Sequence, residues 1–189
     1  MHKKGLLSVA LLTAQLIAFP AAAEDVDALK GEAAKATGGF ADALKEELMG
    51  AMSAGGPTAA IGACNEKAPA IAVEKSRDGW RVGRTSLKIR NAKNAPDAWE
   101  LATLEEFEAR KAKGEAPDKL VKAEIVSENG QKTFRFMKAI PTVPLCLNCH
   151  GRDIKPEVAA KLEGLYPADK AKGYGEGELR GAFTLSKKL

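Results

Sequence analysis

The stretch LVKAEIVSENGQKTFRFMKAI, Leu120–Ile140, decides the fold class. Two strand-like runs, Leu120–Ser127 and Gln131–Ile140, flank Asn129-Gly130. Both turn residues tolerate the positive φ of a type I′ turn, so the runs are expected to pair as an antiparallel hairpin. Upstream, NAPDAWELATLEEFEARKAKG (Asn94–Gly114) reads as a loop and then a helix, with Asp97 as N-cap and Gly114 as stop. Before it, GWRVGRTSLKIRN (Gly79–Asn91) has β-compatible residues in partial alternation and is expected to be a strand. Downstream, PTVPLCLNCHG (Pro141–Gly151) interrupts the strands with two prolines. A short helix from Pro156 to Leu165 and a last strand from Leu179 to Leu185 close the chain.

The N-terminal part is helical in character. Asp25–Met52 is rich in Ala, Leu, Lys and Glu, and Phe40, Leu44 and Leu48 recur every four residues, a buried stripe. Gly38-Gly39 marks an expected break before that stripe. SAGGPT (Ser53–Thr58) ends the helix and starts another, Pro57 suiting its first turn. On that second helix Ile61, Cys64, Ala68 and Ile71 share one face, so Cys64 is expected to point inward, with a kink at Pro69. The sum is an α+β fold, N-terminal helices on a small antiparallel sheet.

The first residues bear on the compartment. MHKK is a basic start, Gly5–Phe19 is apolar but short for a membrane span, and Ala21 and Ala23 offer a cleavage site. This reads as a signal peptide, residues 1–23, leaving a single exported, periplasmic domain, 24–189, with no membrane insertion after cleavage. Loss of Lys3 and Lys4 takes the net charge from +4 to +2, with signs interspersed, so nucleic acid is not expected as a partner. Three cysteines, Cys64, Cys146 and Cys149, make an odd number in an oxidising compartment. His2 leaves with the leader, so His150 is the one histidine of the mature chain.

Cys146, Cys149 and His150 form Cys-x-x-Cys-His, the attachment pattern of c-type haem. Two sulfurs three residues apart can form thioethers on one porphyrin edge, and the histidine that follows supplies an axial nitrogen. One covalent haem c is therefore expected. Competing readings are a Cys₃His zinc site built from Cys64, Cys146, Cys149 and His150, and a redox disulfide. Adjacent Cys149 and His150 are awkward partners on one tetrahedral ion, and no βαβ context surrounds the cysteines. For the other axial position the sulfur donors are Cys64, Met49, Met52 and Met137, or the site stays open. Cys64 can equally be a small buried hydrophobe. Arg84 and Arg90 are candidate partners of the haem propionates, whereas Lys88 reads as a solvated strand residue. Trp80, Trp99, Phe134 and Phe136 read as core.

ACNEKAPAIA (Ala63–Ala72), GWRVGRTSLKIRNAKNAPDAWE (Gly79–Glu100), PLCLNCHG (Pro144–Gly151) and GELRGAFTL (Gly177–Leu185) together resemble the periplasmic c-type haem domain of the Tll-type family. The likeness runs from about Asp42 to the C-terminus. It implies a PAS-like fold, found alone or as the input module of membrane-bound histidine kinases. It also implies haem held by Cys146 and Cys149, with His150 and Cys64 as axial iron ligands. The expected work is redox or gas sensing, or electron exchange with a redox or signalling protein. In the sensing case, reduction weakens the Cys64–iron bond and lets a diatomic gas enter; the plainer case is an electron carrier without ligand exchange. Peroxidase-type catalysis is not expected, because no second histidine remains as an acid–base group.

Overall fold

The computed structural model describes residues 25–128 and 130–189; the leader read at 1–23, and Asn129 of the turn, lie outside the described residues. Among the described residues no helix is long and apolar enough to cross a membrane. The chain runs α1 (Val26–Lys75), β1 (Trp80–Thr85), α2 (Ala98–Ala112), β2 (Val121–Glu128), β3 (Gln131–Pro141), α3 (Leu147–His150), α4 (Pro156–Leu165) and β4 (Leu179–Lys188). The four strands form one antiparallel sheet in the order β1-β4-β3-β2. This is the α+β, PAS-like arrangement expected of the sequence.

The β2–β3 hairpin forms as read. Glu128 pairs with Gln131, which leaves a two-residue turn, and Gly130 takes φ +79°. Both faces of the sheet are covered, which explains why Phe134, Arg135, Phe136 and Met137 are buried in succession. Phe134 and Phe136 join Trp80, Val82 and Leu185 beneath Leu29, Ala33 and Phe40 of α1. Met137 and Ala139 join Leu120, Leu179 and Ala182 beneath Leu104 and Phe107 of α2. Each such Leu or Phe contributes roughly 1.5–3 kcal/mol by leaving water. Asp97 caps α2 in a reciprocal box: it accepts from the Glu100 N–H at 2.8 Å, and Glu100 accepts from the Asp97 N–H at 3.0 Å. Gly114 follows the helix at φ +95°. Trp80, Phe134 and Phe136 are core residues, and Trp99 packs at the edge of the α2-side core.

Three expectations are corrected. No break occurs at Gly38-Gly39; both are exposed, and burial of Thr37 and Phe40 on either side outweighs their cost of about 1 kcal/mol each. The kink falls at Gly55-Gly56, where Gly56 has φ +67° and ψ −160°, and the backbone at Pro69 stays helical. The first strand is shorter than Gly79–Asn91: it ends at Thr85, opposite Ala182, because β4 becomes irregular just before that point.

Candidate cofactor-binding site

A cavity of about 420 Å³ opens between the two segments of α1, the α1-facing side of β1 and β4, and the turn that carries Cys146 and His150. That is within the usual span of small-molecule and cofactor sites, roughly 300–1,000 Å³. Its wall is mostly apolar, with Phe40, Leu44, Ile61, Ile71, Ile140 and Phe183 prominent. Into it come Cys64, Cys146, Cys149, His150, Arg84 and Arg90.

The Cys-x-x-Cys-His run is held from behind. Cys146 ends a 3-10 turn that begins at Pro144, and Cys149 and His150 lie on the single turn of α3. Gly151 closes that turn by donating to the Leu147 carbonyl at 3.0 Å; a Cβ there would stand 2.6 Å from the same oxygen. The segment Asp169–Tyr174 braces the run, with Gly173 N–H donating to Gly151 O and Tyr174 N–H to His150 O. His150 Nδ1 lies 2.7 Å from Ala171 O. A carbonyl only accepts, so Nδ1 carries the proton and Nε2 keeps its lone pair. Burial, with Arg180 and Arg90 nearby, pushes the His150 pKa down to about 2, so the ring is neutral at ordinary pH. Those are the features of an imidazole set up as a metal ligand.

Arg90 is committed to the scaffold. Its Nε donates to Asp169 Oδ2 at 3.1 Å, and its Nη2 donates to the carbonyls of Cys149 and Ala171. The pair with Asp169 is buried, with the carboxylate 1 % exposed. Arg90 thus ties β1's outgoing loop to the attachment turn, a different duty from the propionate contact expected of it. Arg84 follows Trp80 and Val82 on the α1-facing side of β1 and ends on the cavity wall.

Arg180 is a wall residue that the sequence reading missed. Ile140 pairs with Gly181 and Pro141 with Leu179, so Arg180 is an extra residue bulged out of β4. Leu179 and Ala182 both face α2, while Arg180 and Phe183 face the cavity. Gly181 permits this at φ +153°, since a Cβ would fall 2.3 Å from Thr85 O. An isolated glycine within a strand pattern, as in LRGAF, is the signal that marks such a bulge.

Cys64 is exposed as a residue, contrary to the simple inward reading, because the face it shares with buried Ile61 and Ala68 looks into the cavity. Enclosure still raises its thiol pKa; Arg84 and Arg90 pull it back and Glu47 pushes it up. Cys149 is near enough to Cys64 to feel its charge. Among the methionines, Met137 is buried on the opposite face of the sheet and Met49 is exposed off the wall, whereas Met52 lines it. All three cysteines are free thiols. The Cys₃His zinc arrangement is not assembled: among the described residues no group of three or more His, Cys, Asp or Glu stands close enough to share a metal ion. What the site offers is the Cys146 and Cys149 thiols, one imidazole nitrogen, two further sulfurs, Cys64 and Met52, and half-buried cations.

Comparison with known proteins bears on the fold and the family. The crystal structure of the cyanobacterial haem protein Tll0287 superposes with a TM-score of 0.63, covering 86% of this chain and 96% of that one, at 24% sequence identity. Identity that low shows a shared fold and no more. No curated protein matches. The family model described as Tll0287-like matches residues 21–187, and the chain belongs to that family.

Proposed function

We propose that this protein is an exported, periplasmic haem-binding domain of the c type, with one haem attached through Cys146 and Cys149. His150 Nε2 and Cys64 Sγ are the donors that would hold its iron. The observation that carries the reading is His150: its Nδ1–H is fixed on Ala171 O, its Nε2 is free, and both cysteines of its motif share its cavity. Membership of a family whose structural neighbour is a haem protein supports the same cofactor. Bound there, haem would supply a one-electron iron centre whose potential depends on the residues that hold it.

The chain's own residues define the rest. Arg90, Asp169 and Ala171 hold the imidazole in one tautomer and orientation. The wall from Phe40 to Phe183 gives the donors a mostly apolar surrounding. Cys64, on a helix that ends its kink only at Gly56, is the donor able to hold or release a proton. We favour redox or gas sensing, or electron exchange with a partner protein, and no catalysis. An electron carrier whose donors never leave is the second reading.

Visible spectra of the purified protein, oxidised, reduced and with carbon monoxide, test this against Cys64→Ala. The wild type is expected to be red, and Cys64→Ala to alter the ferric spectrum. An unaltered ferric spectrum removes Cys64 as a ligand, and Met52 then becomes the sulfur to examine. A reduced wild type indifferent to carbon monoxide favours the plain carrier. Colourless protein from a host that matures c-type cytochromes ends the haem reading.

A further inference from the structure

We infer that Arg84 and Arg180 form a clamp for two carboxylates of the bound cofactor, the haem propionates, while Arg90 serves only the scaffold. The inference rests on the haem reading above. Three guanidiniums reach the cavity wall, and one of them, Arg90, has its carboxylate in Asp169. Among the described residues, neither Arg84 nor Arg180 forms an ion pair. The groups whose charge Arg84 feels are the Cys64 thiol and the Tyr166 phenol. Arg180 makes a 3.3 Å contact to Ser86 Oγ and lies over the Tyr174 ring at 5.3 Å. Glu47, the carboxylate on the wall, pairs with neither.

Arginine cannot escape such a site by losing its proton. A guanidinium drawn out of water without an anion beside it gives up hydration that nothing replaces. Burial pulls the pKa of both arginines down, which is the sign of that cost. The fold nevertheless directs them there, Arg84 by strand alternation and Arg180 by a bulge that requires glycine at position 181. Two uncompensated forks on one wall suit a ligand with two carboxylates, which each fork can bind with two parallel N–H donors. Their positive charge also disfavours a cationic or neutral occupant of that end of the cavity.

The test uses holoprotein matured in a host that attaches c-type haem: wild type, Arg84→Gln, Arg180→Gln, the two lysine variants, and Lys88→Gln as control. Readouts are covalent haem content, the propionate bending band in resonance Raman spectra, and midpoint potential against pH. Each glutamine variant is expected to move the propionate band and to bring a pH-dependent step into the window of about pH 5–8, as the propionates lose their cations. The lysine variants should restore the flat pH profile while still moving the band, because lysine keeps the charge and loses the fork. Lys88→Gln should change neither. Haem-loaded glutamine variants with a wild-type band and profile overturn the clamp and leave the haem reading standing. If a glutamine variant does not accumulate, an unmoved band in its lysine counterpart overturns the clamp equally. Wild type without covalent haem overturns the reading beneath it.

Discussion

On the α2 side of the sheet, Arg135 sits 2.6 Å from Asp97 and 3.5 Å from Glu100, with its guanidinium 4.7 Å from the Trp99 ring centroid. Across the same sheet, Arg84 and Arg180 face a cavity whose lining carboxylate, Glu47, pairs with neither of them. One face is a finished core, in which each charge is answered by a neighbour and Leu104, Phe107, Leu120 and Met137 fill the space. The other is a core only at its Trp80–Phe134 end and becomes a receptacle towards Cys146. The comparison separates residues that stabilise the protein by themselves from residues whose stabilisation waits for a ligand. Substitutions on the two sides should therefore divide cleanly between stability and cofactor binding.

The largest expected effect lies on the cavity side. Cys146→Ala with Cys149→Ala should abolish covalent haem, read by intact mass and haem staining after denaturing electrophoresis, while far-ultraviolet circular dichroism keeps its helical signal. Covalent haem retained by this variant would break the division. Next, Phe107→Ala on the finished face should cost about 3–5 kcal/mol in urea unfolding, since that ring is fully buried. It should leave haem per folded molecule unchanged; a parallel loss of haem would show that the two faces are not independent.

Acid should act on the cavity side with a definite sign. His150 has a folded pKa of about 2 against an ordinary 6.5, so the unfolded chain binds the extra proton first. Stability from this group is present above about pH 6.5 and is lost as pH falls towards 2, on the order of a few kcal/mol in all. In the haem-free double alanine chain, unfolding free energy between about pH 7 and 4 should fall more steeply with His150 present than in a His150→Gln version. Equal slopes would mean that the imidazole is not enclosed. The smallest effect is on the finished face: Asp97→Ala removes both the N-cap of α2 and a partner of Arg135, for about 1–2 kcal/mol by urea unfolding. No change beyond a few tenths would indicate that Glu100 alone satisfies Arg135.

Much of this division was legible in the chain. The β2–β3 hairpin, the Asp97 cap and the α4 bounds were read from local pattern and are found in place, because each is set by residues within one turn or hairpin. Cys146, Cys149 and His150 were likewise singled out by their spacing, and they share one cavity. Two features were not legible. Gly38-Gly39 has the composition of a break, yet packing of Phe40 on the sheet keeps the helix intact. Arg180 lies far from the motif in sequence and reaches the cavity only because one strand carries an extra residue opposite Pro141.

Sequence by itself determined the α+β class, the candidate sulfur and nitrogen donors and the family likeness, since these follow from residue type at short spacing. Tertiary structure alone decided which cations meet the donors. It assigned Arg90 to Asp169, turned Arg180 inward past Gly181, and hid Met137 behind the sheet while leaving Cys64 on the cavity wall. The reason is physical: a side chain's partner depends on the face it occupies, and one inserted residue in a strand exchanges the two faces.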